Sequence, residues 1–432
     1  MEAVREEKTL PSEKIYRLRG PALFSLKKGK VYVLGRIISG REKIVVPRAR
    51  IMCIKTLEES VVEIVVGSEG SFEEALEGEE VVDIWDHEIS SILNEGFSSI
   101  MVFGPVDAGK TTLCCFIVNK ALENKYSKIF VIDADIGQAD IGPPTTISAA
   151  YASQPIFSLR ELKPKYLAFV GVDTPMNARD RVLIGLKLIC EKVVQEKPDL
   201  VVINTDGWTR GIKAHEYKLS MATLLRPEAI ILLQKEEKNE LDNIVPVLKK
   251  ITNLYILPSP RAAKPRNREV RKMFRETSYM RFMENLKLKT YSADTCPLMY
   301  THLFKGVPLS QKEIDVLKLH LGANIIHCEE TCDRVLIIVD KHVPKDKIEE
   351  LKALYGKDVL VTVRGHEKGL LVGLLDDNLL CLGIGIIEEI DYSNKLLRIK
   401  TYVNKDPHYI AFGQIKLSER GEEISKYRDW FL

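Results

Sequence analysis

Residues 104–111 read Gly104-Pro105-Val106-Asp107-Ala108-Gly109-Lys110-Thr111, and Thr112 follows. The run fits the spacing G-x-x-x-x-G-K-[ST] in full. Two glycines at this spacing let the backbone turn tightly enough to aim several N–H groups at phosphate oxygens. A helix that starts there adds the positive end of its dipole. In such a loop Lys110 bridges the β- and γ-phosphates of ATP, and the Thr111 hydroxyl ligates Mg²⁺. The bland alternative is a glycine-rich turn with a solvated lysine. An apolar run precedes the loop and a helical pattern follows it, which is the setting a phosphate cradle requires. The whole run Gly104–Thr112 is therefore expected to contact ATP.

A second cluster lies downstream, at Asp133-Ala-Asp135-Ile-Gly137-Gln138. Carboxylates at i and i+2 of a strand point the same way. At the C-terminal edge of a parallel sheet they face the ligand crevice. Like charges so placed repel unless a cation or a reacting proton lies between them. One can support a Mg²⁺ shell while the other accepts the proton of an attacking hydroxyl. Turn-forming aspartates are the competing reading, and the nearby loop argues against it.

These residues need a scaffold, and the flanking sequence supplies one. Nearly continuous apolar runs at Ser99–Phe103, Lys128–Ile132, Tyr166–Val170, Leu200–Ile203, Ala229–Leu233 and Leu254–Leu257 suit strands buried on both faces. Helical stretches fit between them at Thr111–Asn124, Ala178–Glu196 and Ala214–Leu225. The alternation predicts an α/β fold with a parallel sheet. Before it, from about Lys14 to Val82, segments such as Lys30–Leu34 and Val61–Val66 are short, β-branched and bounded by turns. After it, Arg334–Val339, Val359–Val363, Leu380–Glu388, Lys395–Tyr402 and Tyr409–Leu417 are again strand-like. The expected organisation is an N-terminal β-rich domain (1–95), a central P-loop NTPase domain (96–325) and a C-terminal β-rich domain (326–432). Within the central part, residues 261–281 carry eight Lys or Arg against two Glu.

With 45% hydrophobic and 29% charged residues the composition is that of a globular protein, not a disordered one. The net charge of +2 means that a nucleic-acid site must be a local basic patch rather than a whole-protein field. The charged N-terminus does not read as a signal peptide, and no apolar run is long enough to span a bilayer. A soluble intracellular protein is expected, cytoplasmic or, in a eukaryote, nuclear. His327, Cys328 and Cys332 lack a second pair at zinc-finger spacing, so ordinary thiols are expected.

Taken together, the motifs resemble the RNA-processing polynucleotide 5′-hydroxyl-kinase family. That family includes the kinase subunit of the eukaryotic pre-mRNA cleavage and tRNA-splicing machinery, the nucleolar ribosomal-RNA-processing kinases, and archaeal relatives. The blocks that carry the resemblance are GPVDAGKTT at Gly104–Thr112, D-x-D-x-G-Q at Asp133–Gln138, Asn204-Thr-Asp-Gly-Trp208 with Gly211, and the arginines Arg266 and Arg271. It is good over about Ser98–Arg281 and weak in detail at both ends.

The resemblance implies transfer of the γ-phosphate of ATP, with Mg²⁺, to the 5′-hydroxyl end of RNA or DNA, single-stranded, in the company of RNA-processing protein partners. Lys110 and Thr111 would serve ATP and the metal, Asp133 would support the metal shell directly or through water, and Asp135 would activate the 5′-hydroxyl. Gln138 would lie near the acceptor nucleotide, and Trp208 would stack on an acceptor base, a mode that tolerates any sequence. Arg266 and Arg271 would close as a lid over the phosphates, where spreading negative charge favours arginine. Neighbouring cations, including Arg268, Lys272 and Arg275, would contact the acceptor backbone. The family's clasp reads T-P-x-x-N; here Thr174-Pro175-Met176-Asn177 places the asparagine one residue early, so Thr174 carries over and Asn177 only weakly.

Two other readings compete. One is an ATP-binding scaffold without catalysis, whose relatives lose the lysine, the acid or the lid arginines; this chain keeps all three. The other is a GTPase or maturation-factor ATPase with a similar loop, a class that needs a guanine-reading N-K-x-D after a late strand. The residues after Gln234 read Lys-Glu-Glu-Lys-Asn and lack it.

Overall fold

The structure, a computed structural model, describes residues 4–48, 50–124, 126–235, 240–261 and 266–427. Residues 262–265 of the basic segment, and 236–239 after the late strand, lie outside the described residues. The chain forms two compact units: Met1–Gly142 with Ile147–Tyr166 and Arg179–Arg271, and Pro143–Thr146 with Leu167–Ala178 and Lys272–Leu432.

The first unit opens with two antiparallel sheets, one ordered Val4–Leu10, Ser60–Val66, Ala22–Lys28, Lys43–Val46, the other Arg36–Ile38, Val31–Val33, Ile51–Thr56, Ile15–Arg19, Ser71–Glu74. Alternating burial in Ile51–Thr56 shows one face turned inward, toward a core that holds Leu18, Phe24, Ile54 and Ile64. The same core continues into the α/β layer through Trp85, Leu113, Phe116 and Val131.

That layer contains α1 (Val82–Asn94), β1 (Ser99–Phe103), α2 (Lys110–Glu123), β2 (Ile129–Ala134), β3 (Thr146–Ala152), α3 (Arg179–Gln195), β4 (Leu200–Thr205), α4 (Ile212–Leu225), β5 (Ala229–Gln234), α5 (Val245–Ile251) and β6 (Asn253–Pro258). The sheet runs β3-β2-β4-β1-β5-β6. From β2 to β6 every pairing is parallel, and each of β2 and β4 is buried along its whole length. The apolar runs at Ser99–Phe103, Lys128–Ile132, Leu200–Ile203, Ala229–Leu233 and Leu254–Leu257 are β1, β2, β4, β5 and β6 within one or two residues, and the run at Tyr166–Val170 is a further strand, Tyr166–Phe169. β3 differs: Thr-Ile-Ser-Ala-Ala-Tyr-Ala carries few β-branched residues, so no strand is expected there, and it joins antiparallel to β2. The small side chains are tolerated because burial on both faces, rather than local propensity, holds the strand.

Helix α2 is locked to its surroundings by Asn119. Its Nδ2 donates to the carbonyls of Leu34 (2.7 Å) and Ile156 (2.8 Å), and its Oδ1 accepts the Ile156 N–H (2.8 Å). A fully buried amide with its hydrogen bonds satisfied fixes the helix that begins at Lys110.

The second unit contains a sheet ordered Lys287–Ser292, Leu396–Thr401, Cys381–Asp391, Leu370–Leu375, Tyr409–Leu417, Leu298–Met299, and a four-stranded sheet, Val307–Pro308, Ile325–Glu330, Arg334–Val339, Asp358–Val363. Helices Gln311–Leu321 and Lys345–Tyr355 accompany the latter; the first starts with a capping box between Ser310 and Glu313. All the C-terminal strands expected from sequence are present, and these two helices are additions. All eight cysteines are free thiols. Among the described residues no helix is long and apolar enough to cross a membrane.

Candidate functional site

The glycine-rich loop leaves β1 at Phe103 and enters α2 at Lys110. Gly109 caps the helix at φ 93°, a left-handed conformation that side chains disfavour. Val106 at the tip is exposed, Ala108 is buried, and Thr111 and Thr112 occupy the first turn of α2. Lys110 folds back over the loop, its Nζ donating to the carbonyls of Gly104 (3.0 Å) and Pro105 (2.8 Å). Burial pulls its pKa down to about 8, while the Asp135 charge works in the opposite direction. Asp107 turns outward from the loop: its Oδ2 accepts the Arg266 N–H (2.9 Å), and its Oδ1 lies 3.7 Å from the Arg266 Nε.

Asp133 ends β2 fully buried. Its Oδ1 accepts from Asn204 Nδ2 (2.9 Å) and the Asp135 N–H (3.3 Å); its Oδ2 accepts from the N–H groups of Asp140 (2.7 Å) and Ile141 (3.3 Å). A carboxylate offers about four lone-pair sites, so this one is saturated by protein donors. Burial, then the Asp140 charge, pushes its pKa up to about 7. Asn204, at the equivalent position of β4, also lies 3.5 Å from the Thr111 hydroxyl, and so links Asp133 to the loop. Asp140 is clamped by Arg50 (2.7 Å) and Arg160 (2.8 Å). Burial alone would raise its pKa, but the two guanidiniums hold it below the usual carboxylate range.

Asp135 differs from Asp133. It is half-buried, and the hydrogen bonds it accepts from the N–H groups of Gly137 (3.1 Å) and Gln138 (2.9 Å) both go to Oδ1. Burial raises its pKa, and the nearby Lys110 opposes the rise. The two acids of one motif are thus set up differently, Asp133 as an anchor and Asp135 as an accessible base.

Gln138 Nε2 donates to the Gly137 carbonyl (2.7 Å) and to the Arg271 carbonyl (3.3 Å). Arg271 in turn donates from Nε and Nη2 to the Arg266 carbonyl (3.1 and 2.6 Å). Burial, then the Arg50 charge, lowers the Arg266 pKa. Lys110, Asp133, Asp135, Gln138, Arg266 and Arg271 therefore belong to one connected site. Trp208 lies in the loop after β4, half-buried, its ring 5.6 Å from that of Tyr217 and its N–H bonded to Asp206 Oδ1 (2.8 Å). Thr174 and Asn177 belong to the second unit, exposed around a short 3₁₀ turn, Pro175–Asn177, that the Thr174 hydroxyl caps.

One expectation is corrected. Arg275 does not present its charge to solvent for an acceptor backbone. Its guanidinium, 11% exposed, is paired with Glu423 and with Asp173. The reason lies in tertiary pairing: both acids are distant in sequence, so a count of local charge cannot register them.

Sequence reasoning also missed Asp140, Arg50 and Arg160, which carry no spacing signature. It passed over Lys218 as well, although a signal exists there: Ala214, Lys218, Met221 and Ala222 share one face of α4 and all are buried. Gly207 marks the close approach of two loops. A Cβ there would stand 2.7 Å from Val106 Cα. Gly207→Ala should displace the loop tip and raise the KM for ATP about tenfold, with the melting temperature changed little; an unchanged KM in steady-state assays would show that the contact does not matter.

A parallel sheet with a glycine-rich loop between β1 and the following helix, and an acid pair at the end of β2, one strand removed from β1 across β4, defines a P-loop nucleotide-binding kinase. The family model described as mRNA cleavage and polyadenylation factor CLP1 P-loop matches residues 104–285. The polyribonucleotide 5′-hydroxyl-kinase of Pyrococcus furiosus is 33% identical over 332 residues, covering 76% of this chain and 90% of its own length. The enzyme of the same name from Methanocaldococcus jannaschii is 30% identical, covering 75% and 88%. A solved structure of wild-type Clp1p with Pcf11p shares the fold, with a TM-score of 0.64 at 10% identity over 96% of this chain and 98% of that one. The chain belongs to the RNA-processing polynucleotide 5′-hydroxyl-kinase family, whose P-loop binds ATP.

Proposed function

We propose that this protein is an ATP-dependent polynucleotide 5′-hydroxyl kinase acting on RNA ends, and on DNA ends where they fit the same site. The carrying observation is that Lys110 and Thr111, at the start of α2, and Asp135, just after β2, lie at the C-terminal edge of one parallel sheet, with Asp135 kept basic by burial. In the proposed step the acceptor 5′-hydroxyl gives its proton to the unencumbered Asp135 Oδ2. Its oxygen bonds to the γ-phosphorus as the bond to the β-phosphate oxygen breaks, and ADP leaves. Lys110 exchanges its loop carbonyls for the β- and γ-phosphates.

The oxygen donors here suit a hard cation such as Mg²⁺. The Thr111 hydroxyl would hold it directly, and the saturated Asp133 would act through Asn204 and the water shell. Bound with ATP, the ion would supply neutralisation of phosphate charge. Arg266 and Arg271 act as the lid on the transferring group. Gln138, Trp208 and Thr174 serve the acceptor, with Trp208 as the stacking platform. The segments 1–95, 96–325 and 326–432 are proposed as the functional divisions, and the Clp1p–Pcf11p complex supports a role for protein partners.

The test is an acceptor panel with γ-labelled ATP: single-stranded RNA, single-stranded DNA and duplexes, each with 5′-hydroxyl or 5′-phosphate ends. Label should enter only the hydroxyl-ended set, single-stranded RNA best, and chelation of divalent cations should abolish it. Equal labelling of phosphate-ended strands, or labelling that survives chelation, would reject the proposal.

A further inference from the structure

Lys218 is fully enclosed, without exposed surface. Burying an ammonium is unfavourable unless it is paired and its protons are satisfied. Here Nζ donates to the Asp206 carbonyl (2.9 Å) and to Asp206 Oδ2 (3.1 Å). It also lies 5.4 Å from the Phe103 ring centroid and 5.2 Å from that of Tyr217, within cation–π range. The Tyr217 hydroxyl donates to the same Oδ2 (3.0 Å), and burial, then the Asp206 charge, pushes the phenol pKa well up, so it stays a donor. Asp206 Oδ1 accepts the Trp208 N–H, and the Trp208 ring packs on Tyr217.

Each contact points to the same turn. Asp206 fixes the backbone of Trp208 from one side, and Tyr217 supports the indole. Phe103, beneath Lys218, is the last residue before Gly104, so the cation also fixes this turn against the root of the phosphate loop. A solvated lysine would do none of this, and an apolar residue in its place would leave the Asp206 carboxylate buried without its cation.

We propose that Lys218 is a positioning residue for acceptor binding: through Asp206 and Tyr217 it holds Trp208 in place relative to the phosphate loop. The proposal rests on the reading of Trp208 as the acceptor platform. Lys218 touches neither ATP nor acceptor; it acts through the turn.

The experiment is steady-state kinetics on the full-length protein with ATP and a 5′-hydroxyl oligoribonucleotide. Lys218→Met should raise the acceptor KM about tenfold while the ATP KM stays within about twofold. Tyr217→Phe, which removes one hydroxyl donor and keeps the ring, should raise the acceptor KM about threefold. In a Trp208→Ala background, itself weak in acceptor KM, Lys218→Met should add less than about twofold, because both act through one group. Three results would overturn the proposal: an unchanged acceptor KM in Lys218→Met, ATP and acceptor KM rising together, or full multiplicativity with Trp208→Ala. Should Lys218→Met fail to fold, Tyr217→Phe is read by the same criteria and decides. If Trp208→Ala leaves the acceptor KM unchanged, the platform reading fails and takes this proposal with it. Failure of the positioning role alone is distinct: Trp208→Ala is then impaired and Lys218→Met is not.

Discussion

Replacing Lys110 with alanine should lower kcat about 10³-fold or more and leave the protein folded. In the proposed reaction Lys110 is the cation that the loop delivers to the transferring phosphate. Its ammonium is buried and held by two carbonyls of its own loop, so the charge is in place before the nucleotide arrives. Removing it takes away stabilisation of charge that develops in the transition state, where such groups act most strongly. The fold should survive, because α2 is held independently by Asn119 and by the core residues Leu113, Phe116 and Ile117. Lys110→Arg should not rescue activity: a planar fork cannot replace a compact ammonium over the loop. The check is kcat at saturating ATP alongside a thermal melt. Retention of more than about a tenth of the wild-type kcat would contradict this role for Lys110.

The second large effect is at Asp135. Asp135→Asn should lower kcat about 10²- to 10⁴-fold, the span of a general base, with the KM for ATP within about threefold. The substitution isolates chemistry from structure. An asparagine oxygen can still accept the N–H groups of Gly137 and Gln138, so the turn persists. What is lost is the basic oxygen that in the proposed step takes the acceptor proton. Asp133→Asn is the instructive contrast. There one oxygen becomes a donor facing the backbone N–H groups of Asp140 and Ile141, or facing Asn204, so its main effect should be a lowered melting temperature. If Asp135→Asn melts early and keeps its turnover, the two roles are reversed.

Sequence was a good guide wherever the signal is local. The glycine-rich loop follows from backbone geometry over a few residues, and the strands of the parallel sheet follow from unbroken apolar runs. The acid pair was readable as a pair, but the division of labour within it was not. That division depends on Asp140, Ile141 and Asn204, which surround Asp133 and leave Asp135 with an open oxygen. Arg50 meets Asp140 from 90 residues away, across a change of fold class, and no pattern of spacing could announce the contact. Arg275 was misread for the same reason, and Lys218 because a lysine in a helix is ordinarily a solvated one. β3 escaped because alanine and serine carry no strand preference of their own.

In the proposed reaction the γ-phosphate of ATP ends on a 5′-oxygen of the acceptor, by way of Lys110 and Asp135. The most direct measurement is to incubate the protein with γ-labelled ATP and a 5′-hydroxyl oligoribonucleotide, digest the product to mononucleotides, and locate the label. All of it should be found in the 5′-terminal nucleotide as a 5′-monophosphate, with none for Lys110→Ala. Label released only as inorganic phosphate, or found at any other position, would contradict it.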